Sequence, residues 1–407
     1  MEFRNLTPFS VMNYKMLDVD DIEHHVIVMK VGYSLTQFDG NIYQAKIKED
    51  TPLCFQDENV TNALNSSVKF ESDLSPFKPL CDVIVIGTAI APHSEPVKKF
   101  DVSLRVTDKN NKNLIDKKLN IFGSRYFNKV NGQWGISEPE EFITLPLRYE
   151  YAFGGEFKVY PNELHSNEIE ARYLLSEEGR NAHPESPSSP IAHGYYQYNP
   201  IGKGYVPEWY TKIQEFNHFE AHRIESAYSP FNEHDYINYI NNEKNQLLDD
   251  YYIPQGFGGI GRAWQPRLKK AGTYDDEWLS HRHPYLPKDF DFNYWNCAPN
   301  DQQIPYPNTD ITICVTNMTL DGMLQVTLPE HRAFLLSRLE NGPVLPIQLN
   351  LDTVILDTDN LELSLTFRQK LSLDIPIRVL EARFETNPNA PLFCIDLSNI
   401  TKGNTNG

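Results

Sequence analysis

Positive charge is scarce in this chain: 37 Lys and Arg stand against 55 Asp and Glu, giving a net charge of −18 and a pI near 5.1. Neutralising a phosphate backbone needs a basic stripe, and none is present, which argues against DNA or RNA as a partner. The same field favours encounter with a cationic protein surface. Cysteine is also sparse. Cys54, Cys81, Cys297, Cys314 and Cys394 are odd in number and widely spaced, with no C-x-x-C pair; they read as reduced, structural thiols rather than zinc ligands or a redox pair. Long apolar runs are missing, so no spanning helix is expected. The opening stretch MEFRNLTPFSVMNYKMLDVDD lacks the apolar core and cleavage site of a secretory signal, which predicts a cytoplasmic protein with no membrane partner. There is no repeat of 20–50 residues and no G-x-S-x-G nucleophile elbow.

What is present is the composition of an ordinary folded protein, with 40% hydrophobic, 12% aromatic and 23% charged residues. A length of 407 residues predicts more than one structural unit. Short β-branched runs at His25–Val31 and Asp82–Ile90, and the alternation of Val102, Leu104 and Val106 with Ser103 and Arg105, predict an N-terminal β unit over 1–149. The polar stretch Asp108–Asn113 reads as a hairpin turn. Residues 150–307 are rich in Pro, Gly and aromatics and read as a loop-rich middle region with short helices. Helices are predicted at Glu168–Glu178, stopped by Gly179, at Trp209–Ile224, and through His234–Asp250. The stretch Pro184–Pro190 reads as a mobile loop. From 308 to 386, Asn341-Gly342 and the alternation Leu361, Leu363, Leu365, Phe367 predict a β meander packed on the rest, followed by a polar tail over 387–407. The fold class is mainly β, with sandwich-like units and a partly helical middle: all-β or α+β.

Several motifs invite chemical readings. Gly256, Gly258 and Gly261 have the G-x-G-x-x-G spacing of a dinucleotide loop, but the flanks fail. Acids and Pro254 precede it where a buried strand should be, and Pro266 follows where a helix should run. The glycines, like the pair Gly154 and Gly155, read instead as places where the chain turns tightly against backbone or aromatic rings. His218 and His222 stand at i, i+4 on a predicted helix, yet the intervening sequence is not H-E-x-x-H and no third ligand is indicated. The HRHP stretch from His281 to Pro284 reads as structural. Asp289 and Asp291 put two carboxylates two residues apart, a pattern that can serve hydrolysis but more often caps turns. No cofactor, metal or catalytic residue is expected.

Four blocks carry a more specific signal: ESDLSPFKPLCDVIVIG (71–87), LPLRYEYAFGG (145–155), NPIGKGY (199–205) and the long stretch from Gly256 to Gln302. In this order they resemble the bacterial family called domain of unknown function 2169, with Gly259 and Asn300 standing where its members are often Pro or more Pro-rich. The resemblance implies an adaptor: a cytoplasmic chaperone that binds and stabilises a type VI secretion effector, through the effector's N-terminal or PAAR-containing region, and helps load it onto the PAAR-tipped spike. It establishes no catalytic residue. Asp73, Lys78, Arg262, Trp264, Arg267, Tyr274, Asp275 and Trp278 mix charge with aromatic area inside these blocks. They read either as a buried Arg–Asp and Trp network pinning the loops or as client contacts. An alternative is a hydrolase or carbohydrate-active enzyme using the Asp- and aromatic-rich loop 275–302; a structural part of the secretion machinery is a third.

Overall fold

The computed structural model describes residues 1–61, 66–159, 174–181, 191–207, 209–210, 216–241, 252–308, 310–340 and 342–391. It is mainly β, with 45% strand and 11% helix. The principal strands are β1 (Glu2–Asn5), β2 (Ser10–Leu17), β3 (Glu23–Asp39), β4 (Ile42–Lys48), β5 (Cys81–Ile86), β6 (Lys99–Thr107), β7 (Asn113–Phe122), β8 (Ile224–Ser226), β9 (Gln303–Ile304), β10 (Thr312–Thr316), β11 (Met323–Thr327), β12 (Arg332–Leu339), β13 (Val344–Gln348), β14 (Asn350–Asp357), β15 (Glu362–Ser372) and β16 (Ile377–Glu385). One 12-stranded sheet runs β8-β7-β6-β10-β11-β4-β3-β15-β14-β5-β9, with β2 also paired to β3, and curls into a half-barrel. A second sheet, β1-β16-β12-β13, contributes Leu335, Ile347, Leu380 and Ala382 to the same core as the first.

The polar turn at 108–113 joins β6 to β7, and Gly342, at φ 98°, turns the chain between β12 and β13. The strands after residue 308 do not form a meander among themselves. β14 and β15 are inserted between β5 and β3, so N- and C-terminal sequence shares one sheet.

A second, aromatic core joins the middle region to the preceding unit: Phe127 packs with Phe153, Phe219, Phe231, Tyr196 and Tyr236. Here the helix predictions fare unevenly. Helix α2 (Glu233–Ile240), capped by Asn232, lies in the predicted third helix. The stretch predicted as a helix from Trp209 contains a short strand, His218–Glu220, and ends in β8. Phe216 and Phe219 pack in the aromatic core, Phe219 on the strand paired with Tyr126–Asn128, whereas Ile224 pairs with β7 and joins the main core, so tertiary packing overrides a loose 3.6-residue spacing. In the prediction at 168–178, the described part holds a bridge at Leu174, and α1 (Glu177–Asn181) has Gly179 inside it rather than after it. Residues 168–173, Pro184–Pro190, 211–215, 242–250, Asn341, Cys394 and the tail from 392 lie outside the described residues.

Candidate functional site

Strand β15 shows why the signature blocks sit where they do. Leu363, Leu365 and Phe367 point into the main apolar core, as alternation predicts. The opposite face is not solvated: Thr366 and Arg368 are buried as well. Loop 50–80 covers that face, and loop 256–302 covers the same side of the neighbouring strands; beside a small apolar cluster of Ile84, Ile355, Cys297 and Ala298 they meet a polar layer.

The layer is one connected chain of ion pairs. The Lys30 Nζ donates to Asp73 Oδ2 at 2.9 Å, and Thr366 Oγ1 donates to Asp73 Oδ1 at 3.3 Å. Arg368 donates through Nη1 to the carbonyls of Asp73 and Ser75, and through Nε to Asp352 Oδ2 at 2.5 Å. Thr353 Oγ1 donates to Asp352 and accepts from Lys78 Nζ, which also pairs with Asp82 Oδ2 at 2.9 Å. Asp82, on β5, in turn accepts from the backbone N–H groups of Cys297 and Ala298 and from Asn296 Nδ2, fastening the long loop to the sheet. Burial alone would lower the Lys78 amine, but Asp82, with further help from Asp352 and Glu71, holds it above its ordinary value. Burial drives the Cys297 thiol well up, so it sits there as a neutral, inert group.

A second network pins the loop from above. Arg267 is 2% exposed and donates to Glu71 Oε1 at 2.7 Å and to the carbonyls of Ile260 and Tyr294. Arg262 bridges Glu71 and Asp57 and lies over the Trp295 ring. Trp264 meets Tyr149 edge to face at 5.6 Å, joining the fourth block to the second. The second and third blocks interlock at Asn199, whose Nδ2 donates to the carbonyls of Tyr149 and Phe153.

The glycines are explained by this crowding. A Cβ on Gly154 would lie 2.1 Å from the Asn199 carbonyl oxygen, at a φ of +149° that side chains rarely adopt; Gly155 shares the unusual backbone, at +126°. Gly256 and Gly261 have ordinary backbone angles, and they face the Tyr149 and Trp264 rings, at 3.0 and 2.9 Å from an added Cβ. Gly258 has open space, so it neither turns the chain in a left-handed conformation nor makes a close approach.

The structure therefore brings together Asp73, Lys78, Arg262, Trp264 and Arg267, and leaves Tyr274, Asp275, Trp278, Asp289 and Asp291 outside. Asp275 does not join the network: it is exposed and caps helix α3 (Asp276–His281), accepting from the Trp278 N–H at 2.8 Å. Tyr274 packs on Trp278 at the surface. Asp289 accepts from the Thr273 N–H and hydroxyl, which holds its carboxyl below the usual range, and Asp291 caps the turn at 292–295. His218 and His222 do not share a helix face. His218 is exposed on a strand beside Asn128, whereas His222 is buried against Glu225. Sequence reasoning missed Lys30, Glu71, Asp82, Asp352 and Arg368. Lys78 and Asp82, opposite charges four apart in one block, were the available signal.

Two cavities flank the covered layer. One of about 220 Å³ lies between the sheet and loop 50–58, bordered by Asp50, Glu58, Phe70, Ile355, Asp357 and Glu362. The other, of about 190 Å³, borders Lys69, Arg148, Tyr149 and Asp359.

Taken together, this is a mainly β protein in which the central strands β3, β15, β14 and β5 are buried on both sides, one apolar and one largely polar and loop-covered. Residues 20–368 match the model of the family described as "Uncharacterized protein conserved in bacteria (DUF2169)", and the chain belongs to that family. No curated protein and no solved structure matches it. Among the described residues, no helix is long and apolar enough to cross a membrane.

Proposed function

We propose that this chain is a cytoplasmic chaperone or adaptor that holds a type VI secretion effector and helps load it onto the PAAR-tipped spike. The observation that supports a holding role is the rim of the long signature loop. There Tyr274, Leu279 and Tyr285 are 54%, 59% and 44% exposed, around the Trp278 ring. The rim is built on a rigid base: Arg282 donates to both Asp21 carboxylate oxygens and to the Val19 carbonyl, tying the loop to the turn before β3. Exposed aromatic area on a fixed scaffold suits the binding of an unstable protein segment. The type VI role itself rests on the resemblance of the four blocks. No observation favours the hydrolase reading, because the Asp289 and Asp291 carboxylates are each occupied by a local cap.

Co-expression with the protein encoded beside it, followed by affinity purification, tests the proposal. A stable complex, and a neighbour that is insoluble without this chain, are expected. A neighbour that is soluble alone and fails to co-purify overturns it.

A further inference from the structure

The cavity of about 190 Å³ sits where the end of β5 and the turn from β14 to β15 meet residues 146–149 and Gly258. Two cations line it, Lys69 and Arg148, and both are partly buried. Among the described residues, neither side chain has an ion pair or a hydrogen-bond acceptor; the Lys69 amine lies 5.0 Å from the Phe70 ring centre. The carboxylates nearby are engaged elsewhere. Asp357 accepts from the backbone N–H and side-chain amide of Asn360, and Asp359 from the N–H and hydroxyl of Thr88. Glu150 accepts from the N–H and hydroxyl of Ser67. In the covered layer, by contrast, Lys30, Lys78, Arg267 and Arg368 each have a carboxylate partner. Cations partly withdrawn from water and given no protein acceptor in return favour an anion between them.

A second observation concerns Gly258, which borders the same cavity. Its backbone is not left-handed, and an added Cβ would have nothing within 4 Å. Neither a turn nor close packing requires a glycine there, and the missing side chain leaves that border of the cavity open. Val60, Val68, Ile86, Pro146 and Leu147 supply apolar walls, so the space suits an anion with an apolar body. Charge narrows the class further. Asp357 and Asp359 border the cavity too, so a single negative charge can sit against Lys69 and Arg148, whereas the second charge of a phosphate would face those carboxylates. The net charge of −18 repels anions at a distance, which leaves recognition to these two cations at short range. We infer that this cavity binds a carboxylate carried on a short aliphatic body, with the Arg148 guanidinium as its bidentate partner and the Lys69 amine as a second contact. A free small acid and an acidic side chain of a client protein share that chemistry. The assignment itself does not depend on the client-holding reading.

The test uses the full chain and four probes, titrated by ligand-observed NMR: butyrate beside butyramide, and the peptide acetyl-Ala-Ala-Glu-Ala-Ala-amide beside its glutamine counterpart. Each pair keeps the shape and removes the charge. In at least one pair the acid should bind saturably and about tenfold or more tightly than its amide, the worth of roughly one charged contact. A preference confined to butyrate makes this a small-molecule site; a preference in the peptide pair makes it a client contact. Arg148→Met and Lys69→Met, at partly exposed positions without a protein partner, should keep the melting temperature and each weaken the preferred acid about tenfold. Acid and amide binding equally in both pairs, no binding by any probe, or an unaltered affinity in either variant overturns the assignment. A neighbour that co-purifies with wild-type protein while all four probes fail removes only the pocket; acid-specific binding with no co-purifying neighbour removes only the chaperone.

Discussion

The two faces of the central sheet bury side chains of opposite character on the same strand, and they respond differently to damage. On one face, Leu363, Leu365 and Phe367 of β15 join a broad apolar core whose stabilisation is non-directional. On the other, Thr366 and Arg368 enter a chain of ion pairs in which each group depends on a specific partner. An apolar core distributes the loss of one methyl group over many neighbours. A polar layer cannot, because a missing cation leaves a buried carboxylate behind.

The largest expected effect follows from that asymmetry. Arg368→Met keeps the volume but leaves Asp352, at 1% exposure, with Thr353 as its one side-chain donor among the described residues, and should cost about 3–5 kcal/mol in chemical denaturation. Leu365→Ala on the opposite face should cost about 2–5 kcal/mol through its cavity. The sharper contrast is in the second substitution. Adding Asp352→Leu to Arg368→Met removes the stranded charge and should recover part of the loss, whereas no second change nearby should rescue Leu365→Ala without refilling its volume. A single-variant loss under about 1 kcal/mol, or a double variant no better than the single, would break the distinction between the faces.

A smaller effect is expected where the cover meets the sheet. Gly261→Ala puts a Cβ 2.9 Å from the Trp264 ring, which is itself held edge-on by Tyr149, so overpacking of about 1–3 kcal/mol should appear with a shift in tryptophan fluorescence. Gly258→Ala, three residues away with nothing within 4 Å, should be near neutral. Equal effects at the two positions would mean that the dinucleotide-like spacing, and not contact with the rings, determines the behaviour of this loop.

These contrasts also show what was legible in the sequence. The period-2 alternation of β15 correctly identifies a strand and its apolar face, because side chains alternate whatever covers them. It carries no sign of what covers the other face, where Thr366 and Arg368 are buried beneath Asp73 and Ser75. Where a long loop docks depends on partners far away in sequence, as in Lys30 with Asp73, at a separation of 43, or Arg368 with the Ser75 carbonyl, at 293. Local pattern carries no record of that. The strand at His218–Glu220 is three residues long, too short to display a period, so a loose helical spacing prevailed in the reading. The four blocks marked the correct region of the fold, yet within them the carboxylates that matter, Glu71 and Asp82, were passed over for Asp275 and Asp289.

Asp275 supplies the smallest prediction and the cleanest division between base and rim. Its carboxylate caps a six-residue helix, accepting one backbone N–H from Trp278, and it touches none of the buried ion pairs. Asp275→Ala should therefore cost about 1 kcal/mol, the usual value of an N-cap, with the main melting transition almost unmoved. Its effect should instead be local: faster amide exchange over 276–282 and a looser Trp278, whose indole N–H donates to the Tyr285 carbonyl. If the rim holds the client, this variant should weaken co-purification of the neighbour more than it weakens the fold. A loss of several kcal/mol would place Asp275 in the buried network after all; an unchanged rim with full client binding would leave the aromatic patch without a function.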